Sequence, residues 1–238
     1  MNILKNLDFA KAVRDLLPQL LGKALGMVVT ATIAGFILGL AVGFILALAR
    51  ISKNKALNRT VVLFQELIRG TPLLVQLVYI YYVVPLLITC AAQLIGIQGF
   101  RCNLTPLVAG IIGLGVNYGT YIAEVIRAAI ISIDGGQKEA ALALGLTPSQ
   151  AMMRIVVPQA MKNSIPVFGN YLVMMVKDTS LMSYITAAEF LTTAKAYTSQ
   201  TFLTIESYTI LAAVYLVICI PLGILAKWIE QKSNAGKR

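Results

Sequence analysis

Two pairs of opposite charges stand inside apolar sequence: Glu66 with Arg69, and the adjacent Lys177 and Asp178. The first pair leads into Gly70-Thr71-Pro72 and the second into Thr179-Ser180-Leu181. A carboxylate and a cation held in one place recognise a ligand of both signs through charge-assisted hydrogen bonds. The alternative is that the four charges pair among themselves and only hold the bundle together. Nucleophilic and metal chemistry lack the residues they need. The chain has no histidine, and Cys90, Cys102 and Cys219 have no metal-ligand spacing. Ser-His-Asp and Cys-His catalysis and His-ligated haem are excluded. No Walker A lysine pattern is present either.

A second polar feature is Lys138-Glu139-Ala140-Ala141-Leu142-Ala143-Leu144-Gly145, followed by Ile155-Val156-Val157-Pro158. It predicts a short helix over Gln137 to Leu144, stopped by Gly145 in the left-handed conformation. Thr147 is placed to cap a second short helix, with Pro148 at its first position and Gln150 three residues after the cap. That helix is expected to run to about Lys162. Two helices too short to span, set between long apolar runs, belong at the water interface, where they can touch a soluble partner.

The elements that must position these residues are membrane helices. Hydrophobic residues make up 58% of the chain and charged residues 13%. Soluble domains carry about 25% charged residues, so this chain cannot cover its own surface without lipid. The class is an all-α, multi-pass membrane protein, read as a single domain over 1–238. The apolar runs are continuous, which excludes a β-barrel. Residues 1–17 carry Lys5, Asp8, Lys11, Arg14 and Asp15, so no cleavable signal peptide is expected. The net charge of +10 is explained by cytoplasmic Lys and Arg, with no nucleic-acid partner implied.

Five spans are expected. Residues 1–20, with Leu4, Leu7 and Leu17 on one side and Lys11 and Arg14 on another, read as an interfacial helix or as a loosely ordered terminus. The first span is about Leu25 to Ala49. Ala31, Gly35, Gly39, Gly43 and Ala47 recur every fourth residue and leave one face open to close helix packing. Arg50, Lys53, Lys55 and Arg59 mark a cytoplasmic loop. The second span, about Thr60 to Cys90, is too long for one straight crossing and is interrupted at Gly70–Pro72. Pro72 frees the carbonyl of Ile68, giving either a kink in a translocation path or a packing kink. Cys90 and Cys102 flank the outer loop, where a disulfide and two free thiols are both open.

The third span, about Thr105 to Ile131, carries Asn117, Tyr118, Glu124 and Arg127; Glu124 is placed to snorkel or to pair. The fourth is about Ile165 to Ala187, with a new helix start at Asn163, Ser164 and Pro166 and with Lys177 near midplane. A charge at a helix centre costs about 2.5–3.5 kcal/mol, so Lys177 and Asp178 must face the bundle interior or water. Neighbouring helix positions point apart, so their partners lie on other helices or on a ligand. Asn170, Lys177, Leu181 and Tyr184 share one face, with Met174 between. Residues 188–206 form an outer segment, and the fifth span is about Tyr208 to Lys227, ending at the interface anchor Trp228. The segments placed inside are richer in Lys and Arg than those outside, which sets the N-terminus outside, the C-terminus in the cytoplasm and residues 132–162 in the cytoplasm.

Glu139-Ala140-Ala141, Gly145, Ile155, Val157 and Pro158, at their spacing, resemble the EAA loop of permease subunits of bacterial ABC importers; Val157 stands where leucine is usual. Three more segments resemble the polar amino-acid branch, the histidine/glutamine permease type: Ile68-Arg69-Gly70-Thr71-Pro72-Leu73-Leu74-Val75-Gln76, Tyr121-Ile122-Ala123-Glu124-Val125-Ile126-Arg127 and Lys177-Asp178-Thr179-Ser180-Leu181. The resemblance covers about residues 20 to 230. It implies a type I importer permease core of five helices in the bacterial inner membrane. Implied partners are a second permease, as homodimer or related chain, ABC ATPase subunits that bind ATP and Mg, and an external amino-acid-binding protein. This chain itself would hold no cofactor and would not be an enzyme. Glu139, Ala140, Ala141, Gly145 and Pro158 become the coupling set. Glu66, Arg69, Gly70, Thr71, Asn117, Tyr118, Lys177, Asp178, Ser180 and Leu181 become the set facing an amino acid, with a basic side chain favoured by the acids. A stand-alone secondary transporter or channel is the competing reading; it leaves the docking loop without a purpose.

Overall fold

The computed structural model describes residues 7–235, with side chains through Lys232. Leu4 and Lys5 of the expected terminal helix, and Lys237 and Arg238 of the basic tail, lie outside the described residues. Every regular element among the described residues is helical. Helix α1 (Phe9–Gln19) opens with the Asp8 carboxylate accepting the Lys11 N–H at 2.9 Å. A wide turn over Leu20–Ala24, with Gly22 at φ −89° and ψ −112°, joins it to α2 (Leu25–Arg50). All five small residues of the α2 stripe are buried. They lie against α6 (Pro106–Ile131), and the spacing is set by missing side chains. A β-carbon on Gly39 would stand 3.3 Å from the Gly115 carbonyl, and one on Gly43 would stand 2.5 Å from Ile122. The stripe is packing, as expected.

The second span is corrected. Asn54 caps a helix that starts at Lys55, five residues before the expected span, its Oδ1 accepting the Ala56 and Leu57 N–H groups at 3.0 and 3.2 Å. Helix α3 (Lys55–Arg69) therefore stands apart, and the break at Gly70–Pro72 is a boundary and not a kink. After the break come α4 (Leu73–Val78), a wide turn over Tyr79–Val83 and α5 (Val84–Leu94). The membrane-length stretch is Leu73–Leu94. Its wide turn runs into Pro85, and another, Met152–Val156, runs into Pro158. Loosening the helix there gives the proline ring room beside the preceding turn. Cys90 and Cys102 are free thiols.

The short helices come out nearly as read. Asp134 caps α7 (Gly135–Ala143), and Gly145 is left-handed at φ +84°. Thr147 and Gln150 form the reciprocal cap of α8 (Pro148–Ala151). The fourth span is corrected in two respects. No new start occurs at Asn163–Pro166: α9 (Val157–Asp178) runs straight through, because the Ser164 hydroxyl turns back onto the Ala160 carbonyl at 2.9 Å and Pro166 is taken up within the helix. Lys177 and Asp178 consequently close α9 instead of standing at its middle. There the Thr179 hydroxyl takes the Val176 carbonyl at 2.7 Å, and the chain tightens into a 3₁₀ segment over Thr179–Ile185.

The segment over 188–206 is also largely helical. Glu189 caps α10 (Phe190–Thr201), accepting the Leu191 and Thr192 N–H groups at 2.7 Å each. Helix α11 (Thr204–Ala235) contains the expected fifth span. Helices α1, α10 and α11 share an apolar cluster including Ala12, Leu16, Phe190, Ala194 and Leu211. Four stretches are long and apolar enough to cross a membrane: Phe9–Arg50, Leu73–Leu94, Pro106–Ile131 and Thr204–Lys232. Helix α9 is 22 residues long but is not among them.

Candidate functional site

A cavity of about 700 Å³ opens where the α3–α4 break, α6 and α9 meet. The break supplies Arg69, Gly70, Thr71, Pro72 and Leu73; α6 supplies Asn117, Tyr118 and Tyr121; α9 supplies Tyr171, Met174 and Asp178. The break exposes backbone groups that a continuous helix would hide. Pro72 has no N–H for the Ile68 carbonyl, and three other donors answer it: the Thr71 N–H at 3.4 Å, the Thr71 hydroxyl at 3.2 Å and the Gln76 amide at 2.6 Å.

The polar groups of the wall are arranged by helix spacing. Tyr118 donates its hydroxyl to Asp178 Oδ2 at 2.7 Å, tying α6 to the end of α9. That is the partner on another helix which the sequence required. Arg69 pairs with Glu66 on the preceding turn. Three tyrosines sit together: Tyr171 lies edge-on to Tyr118, with centroids 6.0 Å apart, and 6.4 Å from Tyr121. A cation over a tyrosine face and beside a carboxylate is attracted by both. Arg69 offers a planar fork that suits a carboxylate.

Of the ten residues expected to face a ligand, Arg69, Gly70, Thr71, Asn117, Tyr118 and Asp178 line the cavity. Glu66, Lys177, Ser180 and Leu181 do not. Glu66 holds Arg69 from outside the cavity wall. Lys177 is exposed and carries its charge near Cys219 of α11. Ser180 and Leu181 belong to the 3₁₀ segment, which packs on α4. Of the face of α9 read from Asn170, Lys177, Leu181 and Tyr184, with Met174 between, Met174 alone lines this cavity. Tyr171, Met174 and Asp178, at intervals of three and four, are the cavity face. Tyr121 was missed although it stands four residues after Asn117 on α6, where the same rule finds it.

A second polar network lies toward the other end of α6. Glu124 pairs with Arg127 at 2.9 Å and with Arg50 at 3.5 Å. Arg50 also donates to Gln65 at 3.1 Å, and Gln65 donates to the Thr120 carbonyl at 3.3 Å. Glu124 therefore pairs, and joins the ends of α2 and α6 to α3. In the segment over 132–162, Glu139, Ala140, Gly145 and Pro158 are exposed. Ala141 is buried instead, because α7 packs on the wide turn before α9. Leu144, 82% exposed, stands beside Gly145.

Residues 35–234 match the family described as binding-protein-dependent transport system inner membrane component. The chain belongs to that permease family. It is 37% identical over 220 residues to a probable amino-acid ABC transporter permease, PatM, of Vibrio harveyi, covering 92% of this chain and 94% of that one. It is 36% identical over 202 residues to the L-cystine transport system permease TcyB of Bacillus subtilis, covering 84% and 81%. Among solved structures, a crystal structure of an amino acid ABC transporter with histidines shares 32% identity at a TM-score of 0.79, covering 95% of this chain and 99% of that one. The permease therefore has the all-helical type I ABC importer fold. Permease subunits are not enzymes themselves; the ATPase is a separate subunit. The EAA-loop resemblance and the family assignment agree.

Proposed function

We propose that this permease serves an ABC importer that moves a polar amino acid, with a basic side chain favoured, across the bacterial inner membrane. The observation that carries this reading is the cavity at the helix break, where Arg69, Asp178 and Asn117 stand among three tyrosines. Arg69 suits an α-carboxylate, and Asp178 with the tyrosine faces suits a cation. The relatives named for cystine and the transporter solved with histidines support the polar class.

In this reading the chain is a single domain that crosses five times: α2, α4 with α5, α6, α9 and α11. The N-terminus is outside, the C-terminus is in the cytoplasm, and α1 lies along the outer surface. Helix α9 tolerates its polar content because Tyr171, Met174 and Asp178 face the cavity instead of lipid. The partners are a second permease, an external amino-acid-binding protein and ATPase subunits that bind ATP and Mg. Helix α7 docks in an ATPase cleft through Glu139, and Gly145 lets the chain turn sharply after it. From Pro148 to Asp178 the chain is continuously helical. Movement of α7 by the ATPase would thus reach Tyr171, Met174 and Asp178 through one rod.

Co-purification and ATP-driven uptake test the coupling. Gly145→Val forces a β-branched residue into φ +84°, at about 1–2 kcal/mol, and misaims α7. Glu139→Lys reverses the anchoring charge. Both variants should reach the membrane at normal abundance, hold the ATPase weakly and lose ATP-driven uptake. Wild-type association and uptake in both would overturn the docking role.

A further inference from the structure

The side chain of Gln76 reaches the helix break on one side and Asn117 of α6 on the other. Its Nε2 donates to the Ile68 carbonyl at 2.6 Å, to the Thr71 carbonyl at 3.0 Å and to the Thr71 hydroxyl at 2.9 Å. Its Oε1 accepts from Asn117 Nδ2 at 3.0 Å. Carbonyl oxygens only accept, so the NH₂ end of Gln76 must face Ile68 and Thr71, whichever way the amide is first drawn. Oε1 is then left for Asn117, which must present its own NH₂ to it. The remaining polar atom of Asn117, Oδ1, is what its amide leaves for the cavity, which Asp178 also lines from α9.

We infer that Gln76 is a positioning residue of the transport site. It pins the broken segment to α6, and it fixes the Asn117 amide so that the cavity presents the Asn117 oxygen as well as Asp178 to a cationic group. The inference rests on reading the cavity as the amino-acid site. The shortest bond to the Ile68 carbonyl, a bond to the Thr71 carbonyl and one amide orientation come from a single side chain that does not itself line the cavity. Such a shell decides whether a site holds its geometry.

The test uses the whole transporter in proteoliposomes, with permease, ATPase and binding protein, and arginine as the probe. Gln76→Leu removes both functions of the amide. Gln76→Glu keeps the shape but at neutral pH places acceptors against the two carbonyls. Both should raise the KM for arginine about tenfold, the scale of one lost buried hydrogen bond, with much less change in kcat. Gln76→Glu should recover toward wild type as pH falls, because a protonated carboxyl donates again. Asp178→Asn is measured alongside. Changed KM in Asp178→Asn with wild-type KM in both Gln76 variants would overturn the positioning role and leave the site reading standing. Unchanged KM in all three would remove the site reading itself. If Gln76→Leu fails to assemble, the pH profile of Gln76→Glu decides: a profile parallel to wild type overturns the inference. Lower abundance with unaltered KM would mean that Gln76 only holds the fold, and would overturn it too.

Discussion

Asp178→Asn is the sharpest probe of what the cavity recognises. Asp178 Oδ2 accepts the Tyr118 hydroxyl at 2.7 Å. Asparagine keeps an oxygen in that place, so the substitution removes the charge while shape and the tyrosine bond remain. An ion pair at about 4 Å and an effective permittivity near 20 is worth about 4 kcal/mol before desolvation. The cavity is open, and a working figure of about 1.5–3 kcal/mol for a hydrogen bond to a charged group is more appropriate. That corresponds to roughly a ten- to hundredfold loss of apparent affinity. If Asp178 receives a cationic side chain, the loss falls on arginine and lysine, while glutamine changes by less than about threefold. The assay is competitive uptake of labelled arginine and glutamine into proteoliposomes, with permease abundance measured in the same vesicles. Equal losses for both amino acids, with poor assembly, would refute the reasoning and make Asp178–Tyr118 a structural clamp.

Gly43→Ala places a methyl group 2.5 Å from Ile122, so the α2–α6 seam should lose about 1–3 kcal/mol; a lower melting temperature of the purified permease checks this, and an unchanged one contradicts it. Burial pushes the Glu189 carboxyl above its ordinary value, against the opposing pull of the Leu191 and Thr192 N–H groups. A raised folded value means that stability is fullest below the ordinary carboxylate value and is lost as pH rises through the raised one. The melting temperature of wild type relative to Glu189→Gln should accordingly grow as pH falls, and a difference that shrinks would reverse the assignment. Cysteines placed at Asn117 and Tyr171 should react with small polar thiol reagents and be protected by arginine, whereas one at Tyr184, outside the cavity, should show no protection.

Much of the fold was legible because its causes are local. The Gly145 stop, the Thr147–Gln150 cap and the four-residue stripe on α2 depend on residues a few places apart. The failures came where distant or competing local groups decide. Apolar residues on both sides of Glu66–Arg69 let α3 and α4 read as one interrupted span; the Asn54 cap sets where α3 starts, and Pro72 separates it from α4. Asn163, Ser164 and Pro166 look like a helix start, yet the Ser164 hydroxyl serves the Ala160 carbonyl inside one helix. The site was half legible for the same reason. Charge in an apolar run pointed to Arg69 and Asp178, but Tyr121 and Tyr171 carry no such mark. Which face of α9 turns inward follows from its packing on α6 and α11, which one helix cannot reveal. Gln76 was part of a recognised segment, but its role needed the α6 partner.

The most direct measurement is a structure of the assembled transporter with arginine bound. The account predicts arginine in the cavity between the α3–α4 break and α9, its carboxylate toward Arg69 and its guanidinium toward Asp178 and the tyrosines. Arginine bound elsewhere on the transport path, with Arg69 and Asp178 engaged only by protein groups, would contradict it.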